Sequence, residues 1–188
     1  LSKLAYLKSY FEKYNPVKKS FIDGFTGKKP EVSLAQFMDA AGSYDIDGVT
    51  AKAKEHEVVL KRITDEVASI DAEIATLKQW VDLDVPLESL GKTAYAETLL
   101  ATIPLSALAD LDAKTAGLPV AYEKVWEGRG AAGVWMAGVV DDPVSITSLL
   151  SSVGGTQVSL RSSRPGTPKK IVDVLSARLS ELDEQREQ

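Results

Sequence analysis

Three observations predict an α+β chain in which long antiparallel coiled-coil helices carry a small mixed lobe. Apolar residues recur at alternating steps of three and four through residues 60 to 81. Strand-like runs separated by glycine turns fill residues 95 to 161, and a second three-and-four repeat occupies the last twenty residues.

Taken in order, Leu1, Leu4, Leu7, Phe11 and Tyr14 mark one face of an amphipathic helix over residues 1 to 14, which Pro16 should stop. Residues 15 to 30 are rich in Gly, Lys and Pro without a sustained period, and read as a loop that docks through Phe21, Ile22 and Phe25. Ser33 is placed to cap a short helix to about Ala41, broken by Gly42.

The strongest periodic signal follows. Leu60, Ile63, Val67, Ile70, Ile74, Leu77 and Val81 average 3.5 residues per turn, the repeat of a paired helix rather than of a lone surface helix. Lys61, Arg62, Asp65, Glu66, Asp71, Glu73 and Lys78 flank it as a solvated surface requires. With Asp47 as N-cap, this helix runs to about Val81, roughly 50 Å at 1.5 Å per residue. A stripe so narrow and so long is expected to lie against other helices.

From residue 95 the character changes. Residues 95 to 103 suit a strand ending at Pro104, and residues 105 to 113 a helix ended by Gly117. Val120 to Glu127 alternates as a strand, Gly128, Arg129 and Gly130 supply a turn, and residues 134 to 140 return as a second strand. Asp141, Asp142 and Pro143 are expected to open a helix whose apolar face is Ile146, Leu149, Leu150 and Val153, closed by Gly154 and Gly155. Residues 156 to 161 form a last strand. The order β-α-β-β-α-β fits a ferredoxin-like lobe with both helices on one sheet face. Thr167 and Pro168 then start a closing helix with Val172, Leu175, Leu179 and Leu182 on its seam. The expected division is a helical arm over 1–90, the lobe over 91–162 and a return helix over 163–188, antiparallel to the helix from 47 to 81, with helix 1 to 14 a third member of the bundle.

Composition narrows the function. A net charge of −5 and an isoelectric point near 5.0 give no uniform basic field for nucleic acid. With no cysteine there is no disulfide, thiolate ligand or thiol nucleophile. The longest apolar stretches fall well short of the roughly 20 residues of a membrane helix. Both ends read as helix, so the chain is expected to be a piece of a longer protein.

Candidate chemistry is sparse. Lys92 and Thr93 after Gly91 resemble the end of a phosphate loop, but Pro86 stands where that motif needs glycine and a strand follows, so a plain turn is expected. The Asp45, Asp47 and Gly48 cluster resembles part of a calcium loop, yet Ser43 and Lys54 occupy its first and twelfth places, and helix capping by Asp45 or Asp47 is the better reading. His56, the single histidine, has no metal-spaced partner and is expected at a helix surface or seam end. No catalytic, cofactor-binding or metal-binding residues are assigned. Trp126 and Trp135, on neighbouring expected strands beside Arg129, either form a partner-binding patch on an open sheet face or fill the lobe core, since alternation alone does not say which face is wet.

Several segments together resemble the cytoplasmic N-terminal region of subunit I, also called subunit a, of archaeal and bacterial V-type (A-type) ATPases. They are residues 18 to 25 (KKSFIDGF), 77 to 84 (LKQWVDLD), 99 to 104 (LLATIP) and 166 to 168 (GTP). The resemblance implies the distal lobe and connecting helices of a stator arm on the cytoplasmic face of the membrane. Such an arm ties the proton-translocating membrane sector, absent from this sequence, to peripheral-stalk subunits of the E and G type. It implies no cofactor, nucleic acid or small-molecule substrate. The competing expectations are a regulatory module whose lobe binds a ligand while its helices dimerise, and an unrelated coiled-coil adaptor.

Overall fold

The computed structural model describes residues 2–15, 32–140 and 144–187. The loop expected to dock through Phe21, Ile22 and Phe25, Pro16, and the Asp141, Asp142 and Pro143 cap lie outside the described residues. The chain is α+β, with several helices and one antiparallel sheet, and divides into two compact units, Leu1–Thr64 and Asp65–Gln188.

The first unit contains α1 (Ser2–Tyr14), α2 (Leu34–Ser43) and the first part of α3 (Ile46–Lys78). Ser33 caps α2 with a reciprocal capping box: its hydroxyl accepts from the Gln36 amide, and the Gln36 side chain accepts from the Ser33 amide. The helix does not break at Gly42 but passes through it to Ser43. Gly42 keeps an ordinary negative φ, and Tyr44, in an extended conformation, ends the helix.

Asp45, not Asp47, caps α3, accepting from the Gly48 amide at 2.8 Å. An added Cβ at Gly48 would lie 2.1 Å from the Asp45 carboxylate, so the glycine makes room for this cap. Asp47 falls in the first turn instead and pairs with Lys3 of α1 at 2.5 Å. Further along, α1 meets α3 through tyrosines. The Tyr6 hydroxyl donates to Glu57 at 2.7 Å, and the Tyr10 hydroxyl bonds His56 Nδ1 at 2.6 Å. Leu7, Thr50 and Ala53 are buried.

In the second unit, the rest of α3 pairs with α6 (Pro168–Glu187). Arg178 Nε donates to Glu66 at 2.8 Å, while Glu73 accepts from Ser162 at 2.6 Å and pairs with Arg164 at 3.4 Å. Glu73, later on α3, thus meets the segment just before α6, while Glu66, earlier on α3, meets Arg178 well along it, so the chain runs back antiparallel to α3. On this part of α3, Ile70 and Leu77, seven residues apart, are buried while Val67 and Ile74 are half-buried. On α6 the stripe begins earlier than its sequence suggested. Pro168, Ile171, Leu175 and Leu182 are buried, whereas Val172 and Leu179 are half-buried. Pro168 is itself a core residue, and steps of three and four from it reach Ile171 and Leu175.

Helix α3 stops at Lys78, three residues before the expected end. The chain continues in turns, with the Trp80 amide bonded to the Leu77 carbonyl and the Leu83 amide to the Trp80 carbonyl. Bonds that reach back three residues keep Trp80 and Leu83 buried and prolong a helix-like period in the sequence.

The sheet comprises β1 (Gly91–Lys92), β2 (Ala96–Pro104), β3 (Val120–Glu127), β4 (Ala131–Val139) and β5 (Thr156–Val158). Strand β2 lies between β4 and the short pair β1 and β5, which share its other edge; β3 pairs with β4, and every pairing is antiparallel. Strand β4 therefore starts at Ala131, earlier than expected, and β5 ends at Val158, short of Arg161. Helices α4 (Leu108–Thr115), entered through a 3-10 turn at Leu105–Ala107, and α5 (Ile146–Ser152) cover one face. Ser145 caps α5 by accepting from the Ser148 amide. Leu99, Ala101, Ile103, Ala132, Val134 and Met136 form the core with Leu111, Ile146, Leu150 and Val153.

Candidate partner-binding face

Leu100 is 1% exposed yet does not belong to that core, because successive strand residues point to opposite faces. It pairs in register with Trp135 on β4 and Val158 on β5, so these three residues mark the second face of the sheet.

Trp126 reaches this second face through a β-bulge. Lys124 is opposite Val134, on the helix-covered side, and uninterrupted alternation would put Trp126 on that side too. The register shifts between Lys124 and Trp126, so that Trp126 pairs with Gly133 instead. One extra residue in β3 thus turns the indole over, a known use of bulges. Its place depends on Gly133, where an added Cβ would lie 1.9 Å from Trp126 Nε1. Trp135, two residues beyond Gly133, is its neighbour on the same face.

Both tryptophans are half-buried. Trp80, 2% exposed and outside the sheet, meets Trp126 edge-on with ring centroids 5.8 Å apart and planes at 84°. The indole nitrogens of Trp126 and Trp135 are both buried without a hydrogen-bond acceptor, each at a typical cost of about 1–3 kcal/mol. Arg129 stands apart in the hairpin turn, exposed, between Gly128, whose amide bonds the Ala131 carbonyl, and Gly130, held at φ +82°. The structure thus brings Trp126 and Trp135 together and leaves Arg129 at the hairpin tip. Trp80 was absent from the expected site, and its sequence signal is a lone aromatic beside Val81, out of step with the apolar repeat that Val81 ends.

Several other titratable groups serve as local ties. Tyr122 donates to Asp112, joining β3 to α4, and this bond with partial burial pushes the phenol up to about 12. Tyr6 is likewise raised to about 12, first by desolvation and then by its bond to Glu57. Glu88 accepts from the Gly166 amide at 2.8 Å, and that backbone bond holds its carboxyl below the usual range. Thr93 closes the turn into β2, its hydroxyl accepting from the Ala96 amide and donating to the Ala96 carbonyl. Among the described residues no three His, Asp or Glu side chains gather to hold a metal ion, and no helix is long and apolar enough to cross a membrane.

No protein-family model matches the chain, and no curated protein matches it. Among solved structures it is similar to the crystal structure of the cytoplasmic N-terminal domain of subunit I, homolog of subunit a, of V-ATPase, at 10% identity and a TM-score of 0.48. The match covers 98% of this chain and 58% of that one.

Proposed function

We propose that this chain is a non-catalytic stator arm of a proton-translocating V-type ATPase, a ferredoxin-like lobe mounted on paired coiled-coil helices. In this reading the arm links the membrane sector, through parts of the protein beyond this sequence, to peripheral-stalk subunits of the E and G type. It works at the cytoplasmic face of the membrane and resists the torque of the rotor.

The observation that carries the reading is the antiparallel clasp of α3 and α6 on either side of the lobe. The chain enters the lobe from one helix and leaves it into the other; Glu66 of α3 ties to Arg178 of α6, and Glu73 of α3 ties to Arg164 in the segment that leads into α6. Buried Ile70, Leu77, Ile171, Leu175 and Leu182 supply the apolar seams of the two helices. A bracket needs bending stiffness, and two helices joined along a seam resist bending more than either alone. The strand order β5-β2-β4-β3 with α4 and α5 on one face is consistent with a split β-α-β unit. The short segments of resemblance, at 77 to 84 and 166 to 168, fall at the two places where helix gives way to lobe.

The stalk contact is assigned to the second face of the sheet and its hairpin, with Trp126 and Trp135 as aromatic anchors and Arg129 at the tip. Hydrogen exchange with and without the isolated stalk heterodimer tests this assignment. Protection of the amides between Trp126 and Trp135 on mixing is expected. Unchanged exchange there in a formed complex removes the assignment.

A further inference from the structure

Helix α6 carries its charges in the order that its own dipole disfavours. Carboxylates suit the first turn of a helix and cations the last. The first turn of α6 has no acid and holds Lys169 and Lys170, while its last two turns hold Glu181, Asp183, Glu184 and Glu187 against Arg186. Helix α3 does not account for this order. Among the described residues its ion pair with α6 is Glu66 to Arg178, and Lys169, Lys170, Asp183, Glu184 and Glu187 have no ion-pair partner.

One stripe of the helix spans both ends. Lys170, Val174, Ala177, Glu181 and Glu184 follow at steps of four, three, four and three, the repeat of a paired seam. All five are exposed, Val174 at 57%, beside the face that Ile171, Leu175 and Leu182 bury. Glu181 lies 2.9 Å from Arg178, but that guanidinium also serves Glu66, so two carboxylates share one cation.

A basic end, an apolar middle and an acidic end match the same stripe run in reverse. About a two-fold axis between residues 175 and 176, Val174 faces Ala177 of the second copy and Lys170 faces its Glu181, each contact being made twice. Glu184 then falls against the end of the second helix that holds Lys169 and Lys170. A parallel copy would instead set like charges side by side.

We propose that the α6 stripe of Lys170, Val174, Ala177, Glu181 and Glu184 is a homodimer contact, covered by the same stripe of a second copy of this chain running antiparallel. The contact uses neither the tryptophan face nor its hairpin and stands independently of the stator reading.

The test is sedimentation equilibrium of the whole chain, which should show a reversible monomer–dimer equilibrium that weakens as salt is raised. Lys170→Glu and Glu181→Lys should each weaken the dimer at least tenfold, because each sets like charges against each other. Mixing these two variants should restore dimers, since every 170 to 181 contact between the two different chains is again of opposite charge. The double variant should likewise dimerise within about threefold of the parent, a difference under 1 kcal/mol. Val174→Ser should weaken the dimer about tenfold, while Tyr95→Ser, an exposed site on the lobe, should leave it unchanged. Circular dichroism should show that these surface variants keep their helix content. A parent chain that stays monomeric up to about 1 mM, a dimer that Lys170→Glu does not weaken, or a mixture of the two single variants that stays monomeric would overturn the proposal.

Discussion

Trp80 and Trp126 meet edge to face at 5.8 Å, and the second indole of that pair lies directly over the Cα of Gly133. The backbone of β4 forms the seat of Trp126, and there is no space there for a side chain. Gly133→Ala should therefore displace the indole and destabilise the fold by about 1–3 kcal/mol, the usual cost of overpacking. Urea unfolding gives the loss, and a red shift of tryptophan emission shows that the ring has moved. A stability equal to that of the parent would mean that Trp126 sits elsewhere.

Trp80 joins the end of α3 to the second face of the sheet. Trp80→Ala removes a nearly fully buried ring and its edge contact, so a loss of about 3–5 kcal/mol is expected. Trp80→Phe keeps a ring at the site and should cost less. The difference between the two variants in urea unfolding isolates the aromatic contribution.

Most of the fold was legible because periodicity and turn chemistry carry it. The strand Val120–Glu127, the glycine turn after it and the closing helix from Pro168 stand where alternation, Gly130 and a cap followed by proline put them. Less legible were features set by a single tertiary choice. Whether Asp45 or Asp47 capped α3 depended on the space that Gly48 leaves. The turns from Leu77 to Leu83 imitate helical spacing because they bond three residues back, close to the 3.6-residue turn of an α-helix. At the candidate face the sequence showed which aromatics lay on adjacent strands but not that a bulge between Lys124 and Trp126 turns one of them over. A bulge leaves no mark on composition. Trp80 was overlooked for a related reason, since nothing in the local sequence says that a residue past a helix end folds back onto a sheet.

The clasp of α3 and α6 should owe more to its apolar seam than to its ions. Glu66 and Arg178 are each more than a third exposed or close to it, so a double-mutant cycle on the pair should give about 0.2–1 kcal/mol. Leu175→Ala, at a fully buried position, should cost about 2–5 kcal/mol in the same unfolding assay. A cycle energy larger than the Leu175→Ala loss would reverse this ordering.

Alkaline pH should reveal two tyrosine ties. Tyr6 and Tyr122 both have folded pKa values near 12, above the ordinary 10. A raised pKa means that the folded state favours the protonated phenol. The stabilisation is therefore complete below pH 10 and is lost as pH rises from 10 through 12. Spectrophotometric titration of tyrosinate should show a delayed class of tyrosines, and Tyr122→Phe should remove one member of it. Asp112→Asn should bring Tyr122 back toward the ordinary value.

The sign is opposite for Glu88. Its carboxylate accepts from the Gly166 amide and is held below its ordinary pKa, so its contribution is present above about pH 4.5 and fades as pH falls through the folded value. Glu88→Gln should flatten the acid limb of the stability curve without changing stability at pH 7 by more than the loss of that one charged bond. Denaturation followed from pH 7 to 3 measures it.

The stator reading is tested most directly by calorimetric titration of this chain into the isolated peripheral-stalk heterodimer from the same organism. Saturable one-to-one binding, weakened by Trp135→Ala in a variant that remains folded, is the predicted result. A folded chain that gives no heat and no complex at high micromolar concentration would contradict it.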